Sequence, residues 1–148
     1  MGPDRDKKDA AEVFRDCVAT RLRMANRVIT KVYDDALRPF DLRVTQMTML
    51  VVAEDRGLIR QSEVGAELKL DDSTLSRNLE RMRANGWLEG VAEYDGRVHS
   101  HRLTEAGRAL FEKAIPAWRG AQAEARRLLG NPGVQALRRF ARRQGFGG

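Results

Sequence analysis

The sequence predicts a mainly α-helical fold with a small β-hairpin, in which long helices at both chain ends enclose a compact middle. Three observations predict it. Apolar residues recur every three or four positions over 10–38 and again over 104–129, the period of a helix with one buried stripe. Two short helical patterns meet at a three-residue turn, Lys69-Leu70-Asp71. The stretch "WLEGVAEYDGRVHSHRL" at 87–103 reads as two short strands around Tyr94-Asp95-Gly96, where Asp-Gly is a strong hairpin signal.

Composition bounds the function. The 148 residues suit one domain that can bury about two thirds of its surface. No apolar run is long enough to span a bilayer, and the N-terminus is too charged for a signal peptide. A single cysteine, Cys17, excludes an internal disulfide framework and a Cys-pair zinc site. A soluble cytoplasmic protein with no membrane partner is expected. The net charge is +6, and Arg supplies 22 of the 27 basic residues. Arg carries a planar fork suited to phosphate or guanine, although a genome rich in Arg codons gives the same count. Placement has to decide between the two.

Residues 1–9 are polar with mixed charge and are expected to fray. A long helix is expected over 10–38, stopped by Pro39. Within it Val18, Leu22, Ala25, Ile29, Val32 and Ala36 form a coiled-coil-like seam. At about 40 Å it is too long for a small core to cover. A second helix over 45–55 ends at Gly57, and Leu58-Ile59 can form a β-bridge before a third helix over 62–68. The fourth begins with Asp71 or Asp72 as N-cap and closes at Asn85-Gly86. Thr104 caps the last long helix, whose seam is Phe111, Ala114, Trp118, Ala121, Ala125 and Leu128. Pro116 is expected to kink it, and Asn131-Pro132-Gly133 to break it before a short basic helix and a flexible tail at 144–148.

The helix in "DDSTLSRNLERMRANGW" at 71–87 places Leu75, Leu79 and Met82 on one side. The opposite stripe holds Thr74, Arg77, Asn78 and Arg81, and Ser73, Thr74 and Ser76 supply short hydroxyls. Two helices joined by a three-residue turn make a helix-turn-helix, whose second helix enters the major groove of double-stranded DNA. Short hydroxyl residues there let the backbone approach and can donate to phosphates or bases. Arg77 and Arg81 can reach guanine or phosphate, and Asn78 an adenine edge. The competing reading is a solvated face that happens to be Arg-rich. The hairpin directly afterwards favours a winged helix, with Arg97 at a wing tip suited to a minor groove. Asp95 either holds that Arg or simply opens the turn.

The run from Asp41 to Gly107 resembles the MarR family of winged-helix transcription regulators. The matching pieces are "DLRVTQMTML" at 41–50, "IRQSEVGAELKLDDSTLSRNLERMRANGWLE" at 59–89 and "DGRVHSHRLTEAGR" at 95–108. The last carries the Asp-x-Arg wing tip as Asp95-Gly96-Arg97 and the Leu-Thr-x-x-Gly close as Leu103-Thr104-Glu105-Ala106-Gly107. "RMANRVITKVYDDALRPF" at 23–40 resembles the family's first helix. The wing departs from the pattern by being about one residue shorter before Asp95, by lacking a proline, and by carrying His99 and His101; Gly65 sits inside the third helix. The resemblance implies an obligate homodimer of interlocked terminal helices (10–38 and 104–143) around a DNA-binding lobe (42–103). It also implies a regulator, most often a repressor, released by a signal.

Other residues carry weaker indications. The family includes peroxide sensors with a cysteine near the start of the first helix, a role open to Cys17 with Arg21 one turn later, against that of a small core residue. His99 and His101 share a strand face, but no Cys, Asp or Glu at ligand spacing joins them, so no metal is expected and His99 is assigned to the wing's phosphate contacts. Tyr33, Leu37, Phe40 and Met47 are candidates to line a small-molecule effector pocket, with core packing as the alternative. No catalytic constellation and no cofactor motif is found. The reading is a dimeric DNA-binding regulator that is not an enzyme; the alternative is a winged-helix protein-interaction or architectural module without a specific operator.

Overall fold

From its N-terminus the chain forms α1 (Pro3–Asp16), α2 (Val18–Leu37), a 3-10 turn (Arg38–Phe40), α3 (Val44–Arg56), β1 (Ile59–Arg60) and α4 (Gln61–Leu68). Then follow α5 (Asp72–Ala84), β2 (Leu88–Ala92), β3 (Val98–Leu103) and α6 (Glu105–Arg143). These coordinates are a computed structural model describing residues 3–145. The ends of the two expected tails, 1–2 and 146–148, lie outside the described residues. Where a frayed segment was expected at 3–9, α1 is already helical.

The expected first helix is two helices. Cys17 takes φ −63° and ψ 111°, which interrupts the ladder at one residue. The Arg21 guanidinium donates to the carbonyl of Arg15 across the interruption, so this backbone oxygen keeps a partner. The C-terminal break also moves. Helix α6 continues through Pro116, and its one non-helical residue is Gly130, at φ 65° and ψ 165°. Glycine adopts that φ without a Cβ clash, and Pro132 then falls in the first turn of the next helical segment, where its missing N–H costs nothing.

The lobe's core gathers Leu37, Leu42, Met47, Met49, Leu50, Ile59, Val64, Leu75, Leu79, Met82 and Leu88, all buried. It therefore joins the end of α2 and the inner faces of α3, α4 and α5. The sheet order is β1-β3-β2, antiparallel, with Ile59 opposite His101 and Leu88 opposite Leu103. An irregularity between Val91 and Ala92 bends β2 near the hairpin's end.

Helix α2 packs along α6. Ala121 and Ala125 are buried within this one chain, and Ala114 sits in the lobe's core, so these small residues close an intrachain contact rather than standing free for a partner. The rings of Tyr33 and Trp118 lie 6.5 Å apart, and Tyr33 Oη donates to Gln122 Oε1. The carboxylate of Asp34 binds α2 to α3, accepting from Val44 N at 2.8 Å and from Arg43 at 3.1 Å.

Two glycines fix how the lobe closes. A Cβ on Gly107 would overlap the carbonyl oxygen of Trp87, which is rigid backbone. A Cβ on Gly65 would meet Leu75 Cδ2 at 2.9 Å, the end of a flexible side chain. Gly107→Ala should cost about 1–3 kcal/mol as an overpacked junction. Gly65→Ala should cost less, because roughly 1 kcal/mol of helix propensity offsets the shift of Leu75. Urea midpoints at one protein concentration check the order; equal losses would contradict this view of the two junctions.

Candidate nucleic-acid interface

Helix α5 buries Leu75, Leu79 and Met82, four and three residues apart, each contributing about 1.5–3 kcal/mol through burial. That turns its other face outward. Asp71 caps the helix, accepting from Thr74 N at 2.8 Å. Its carboxylate also accepts from Ser73 Oγ at 2.6 Å and from Thr74 Oγ1 at 2.7 Å. These donors, the Ser73 hydroxyl foremost, hold the Asp71 carboxyl far below the usual carboxylate range.

Of the six candidate contact residues, Ser73, Arg77 and Arg81 are exposed and Thr74, Ser76 and Asn78 half-buried. They are not equally available. Asn78 Nδ2 donates to the carbonyl of Thr74 at 2.9 Å. Arg81 pairs with Asp41 at 2.8 Å, forty positions away, where Asp41 adopts a left-handed φ of 53°. Arg77 reaches only Thr74 Oγ1, at 3.5 Å, and has no carboxylate partner among the described residues.

At the wing, Asp95 Oδ1 accepts from Arg97 N at 3.0 Å. Of the two readings of Asp95, the structure shows the turn former; it shapes the backbone and leaves the Arg97 side chain exposed. Gly96, at φ 77°, supplies the left-handed residue of the hairpin, and its N–H donates to the carbonyl of Glu93 at 2.8 Å. His99 and His101 separate. His99 is exposed, whereas His101 is 3 % exposed in the middle strand, opposite Ile59 and Gly90. Its Nδ1 has no partner; burial, with Arg83 nearby, pushes the imidazole below its ordinary 6.5. Among the described residues no group of three or more His, Cys, Asp or Glu is placed to hold a metal ion. None of the described helices is long and apolar enough to cross a membrane.

Between the start of α5 and the wing lies a cavity of about 480 Å³, lined by Arg60, Gln61, Ser62, Asp72, Glu93 and His99. Sequence reasoning passed over Arg60, Gln61 and Ser62, and also Tyr94, which is fully exposed at the wing tip. The signal for Arg60 was the β-bridge itself, which sets it opposite Ser100 beside the wing.

The four expected pocket residues sit in different surroundings. Leu37 and Met47 are core, and Phe40 packs against that core, because α2's end must seal the lobe. Tyr33 is tied to Gln122. The cavity at this junction, about 440 Å³, is lined instead by Lys31, Asp34, Asp35, Arg38, Asp41, Leu42, Arg43 and Arg81. Cys17 is half-buried at the helix break, and the hydroxyl of Thr20 holds its thiol below the ordinary thiol value. Arg21 is turned to the Arg15 carbonyl rather than reserved for the sulfur.

No family model matches the chain. It is similar to the M. tuberculosis transcriptional regulator MosR, 36% identical with a TM-score of 0.75, over 89% of this chain and 95% of that one. The same regulator crystallised with DNA is 39% identical, with a TM-score of 0.69, over 82% of this chain and 90% of that one. The multiple antibiotic resistance protein MarR of Salmonella typhimurium is 27% identical over 109 residues, 72% of this chain and 76% of that protein.

His101 gives a test of the wing's base. Its pKa is lower folded than unfolded, so the unfolded chain binds more protons as pH falls through 6.5. Its contribution to stability is therefore complete above that pH and lost below it. The stability difference between wild type and His101→Leu should shift in favour of the variant between pH 7.5 and 5. Parallel urea midpoints across that range would contradict a buried, neutral imidazole.

Proposed function

Because the chain belongs to the MarR family of winged-helix transcriptional regulators, we propose that it is a cytoplasmic repressor that holds a pseudo-palindromic DNA operator as a homodimer and releases it on a signal. The family's members are DNA-binding regulators rather than enzymes. One observation carries the reading. The start of α5, at Asp72, and the wing, at Glu93 and His99, line one cleft, which supports reading the exposed polar face of α5 as a major-groove helix and the exposed Arg97 as a minor-groove Arg.

A second copy of the chain is supported by what the terminal helices leave open. Val13, Phe14, Val18, Leu22, Leu137 and Phe140 are exposed on α1, α2 and α6, and every described side chain of α1 from Arg5 to Asp16 is exposed. A helix of 14 residues without packing is marginal in water, so α1 needs a cover. In such a dimer the two α5 helices meet half-sites about 34–36 Å apart.

Release is a population shift, and requires a signal that binds one spacing of the α5 helices better than the other. A small polar or charged effector suits the charged cavity lined by α2, the segment after it and Arg81 of α5, where Asp41 pairs with Arg81. Oxidation of the half-buried Cys17 is the other route, favoured by its lowered thiol pKa.

Binding selection on random duplex DNA at two salt concentrations tests the reading. It should recover a pseudo-palindrome with half-sites about one helical turn apart. Arg77→Ala should lose about 1–3 kcal/mol of discrimination at one base, and Arg97→Ala should lower the salt slope by about one. Salt-sensitive binding without sequence preference would favour an architectural or protein-interaction module instead. Treating the same complexes with peroxide separates the signals: release that survives Cys17→Ser removes the oxidative route.

A further inference from the structure

We propose that Ser73 and Thr74 act on DNA only as hydrogen-bond acceptors, so that this part of α5 reads the exocyclic amino groups of adenine or cytosine. This rests on α5 being the operator-reading helix. A hydroxyl carries one proton and two lone pairs. The Asp71 carboxylate, 2.6 Å from Ser73 Oγ and 2.7 Å from Thr74 Oγ1, is acceptor-only, so each of those protons must lie on the hydroxyl and point at Asp71. Such short contacts to a charged acceptor are among the stronger hydrogen bonds. What faces outward is oxygen lone pairs.

The neighbouring groups agree with that polarity. Arg77 Nη2 already approaches Thr74 Oγ1 at 3.5 Å as a donor, the direction an acceptor-only hydroxyl requires. Asn78, one turn along, has an N–H committed to the Thr74 carbonyl, and Arg81 is held by Asp41. The face therefore divides into acceptors at Ser73 and Thr74 and a donor fork at Arg77. In the major groove only adenine N6 and cytosine N4 offer protons, whereas guanine O6 and N7 and thymine O4 are acceptors. Phosphate oxygens are acceptors too. Against any of these, an oxygen without a free proton meets repulsion instead of a bond, so the two hydroxyls select amino-bearing bases and do not clamp the backbone.

The test uses the full-length protein and the operator that selection recovers. Duplexes carry purine in place of one adenine, or 2-pyrimidinone in place of one cytosine, and each deletion is compared with the same deletion outside the contacted bases. Wild type should lose about tenfold in affinity at one or two positions of each half-site. Asp71→Asn keeps an N-cap of equal quality. With its oxygen towards Thr74 N and Ser73, its amide N–H₂ faces Thr74 Oγ1 and returns that hydroxyl's proton. Selection with this variant should switch one position from adenine or cytosine to thymine or guanine, and Ser73→Ala should erase the preference at another. Full wild-type affinity on every amino-deleted duplex, with loss on methylphosphonate duplexes instead, would place the hydroxyls on phosphate and overturn the proposal. A wild type that selects no preferred duplex at all would instead overturn the operator reading beneath it.

Discussion

The burial of Leu75, Leu79 and Met82 is the constraint on which the rest of the lobe depends. These side chains commit one face of α5 to the core formed by α3, α4 and the start of β2, and so determine which residues are left outside. Gly65 lets α4 come close enough for Leu75 to seat. Gly107 lets α6 leave directly beneath the Trp87 carbonyl, which brings the hairpin back against α5. The wing and the helix then border the same cleft. Burial sets the geometry, and the polar chemistry is built on what burial leaves exposed.

A second set of contacts connects that lobe to the long helices. Asp34 on α2 accepts from the first N–H of α3 and from Arg43, and Asp41 holds Arg81 of α5. These ion pairs are surface-exposed on at least one side and individually contribute little. Their value is in register: Asp34 ties α2 to the start of α3, and Asp41, just after the 3-10 turn that follows α2, ties that segment to the last turn of α5. Tyr33 and Trp118 join α2 to α6 at the other side, so the terminal helices behave as a frame to which the lobe is fixed.

Patterns local in the sequence were legible in it. Period and caps located α3, α4, α5 and the hairpin, because Asp71, Gly57, Asp95-Gly96 and Thr104 signal through their own neighbours. The breaks were less legible. Cys17 has no sequence mark of an interruption, and Gly130 was passed over for the proline two residues later, although the unusual φ falls on the glycine. Long-range pairings were invisible: nothing near Arg81 announces Asp41, and nothing near Leu37 and Met47 separates a pocket wall from a core. The stripe on α5 was found as a list of residue types. Its hydrogen-bond directions, which decide what each residue can still do, needed coordinates.

Hydroxyl-radical footprinting of the protein on its selected operator shows whether two α5 faces and two wings read one duplex together. Two symmetric protected patches are expected on one side of the helix, about 10–10.5 base pairs between half-site centres, with minor-groove protection outside each. A single asymmetric patch, or protection that shifts freely along any sequence, would contradict that joint reading.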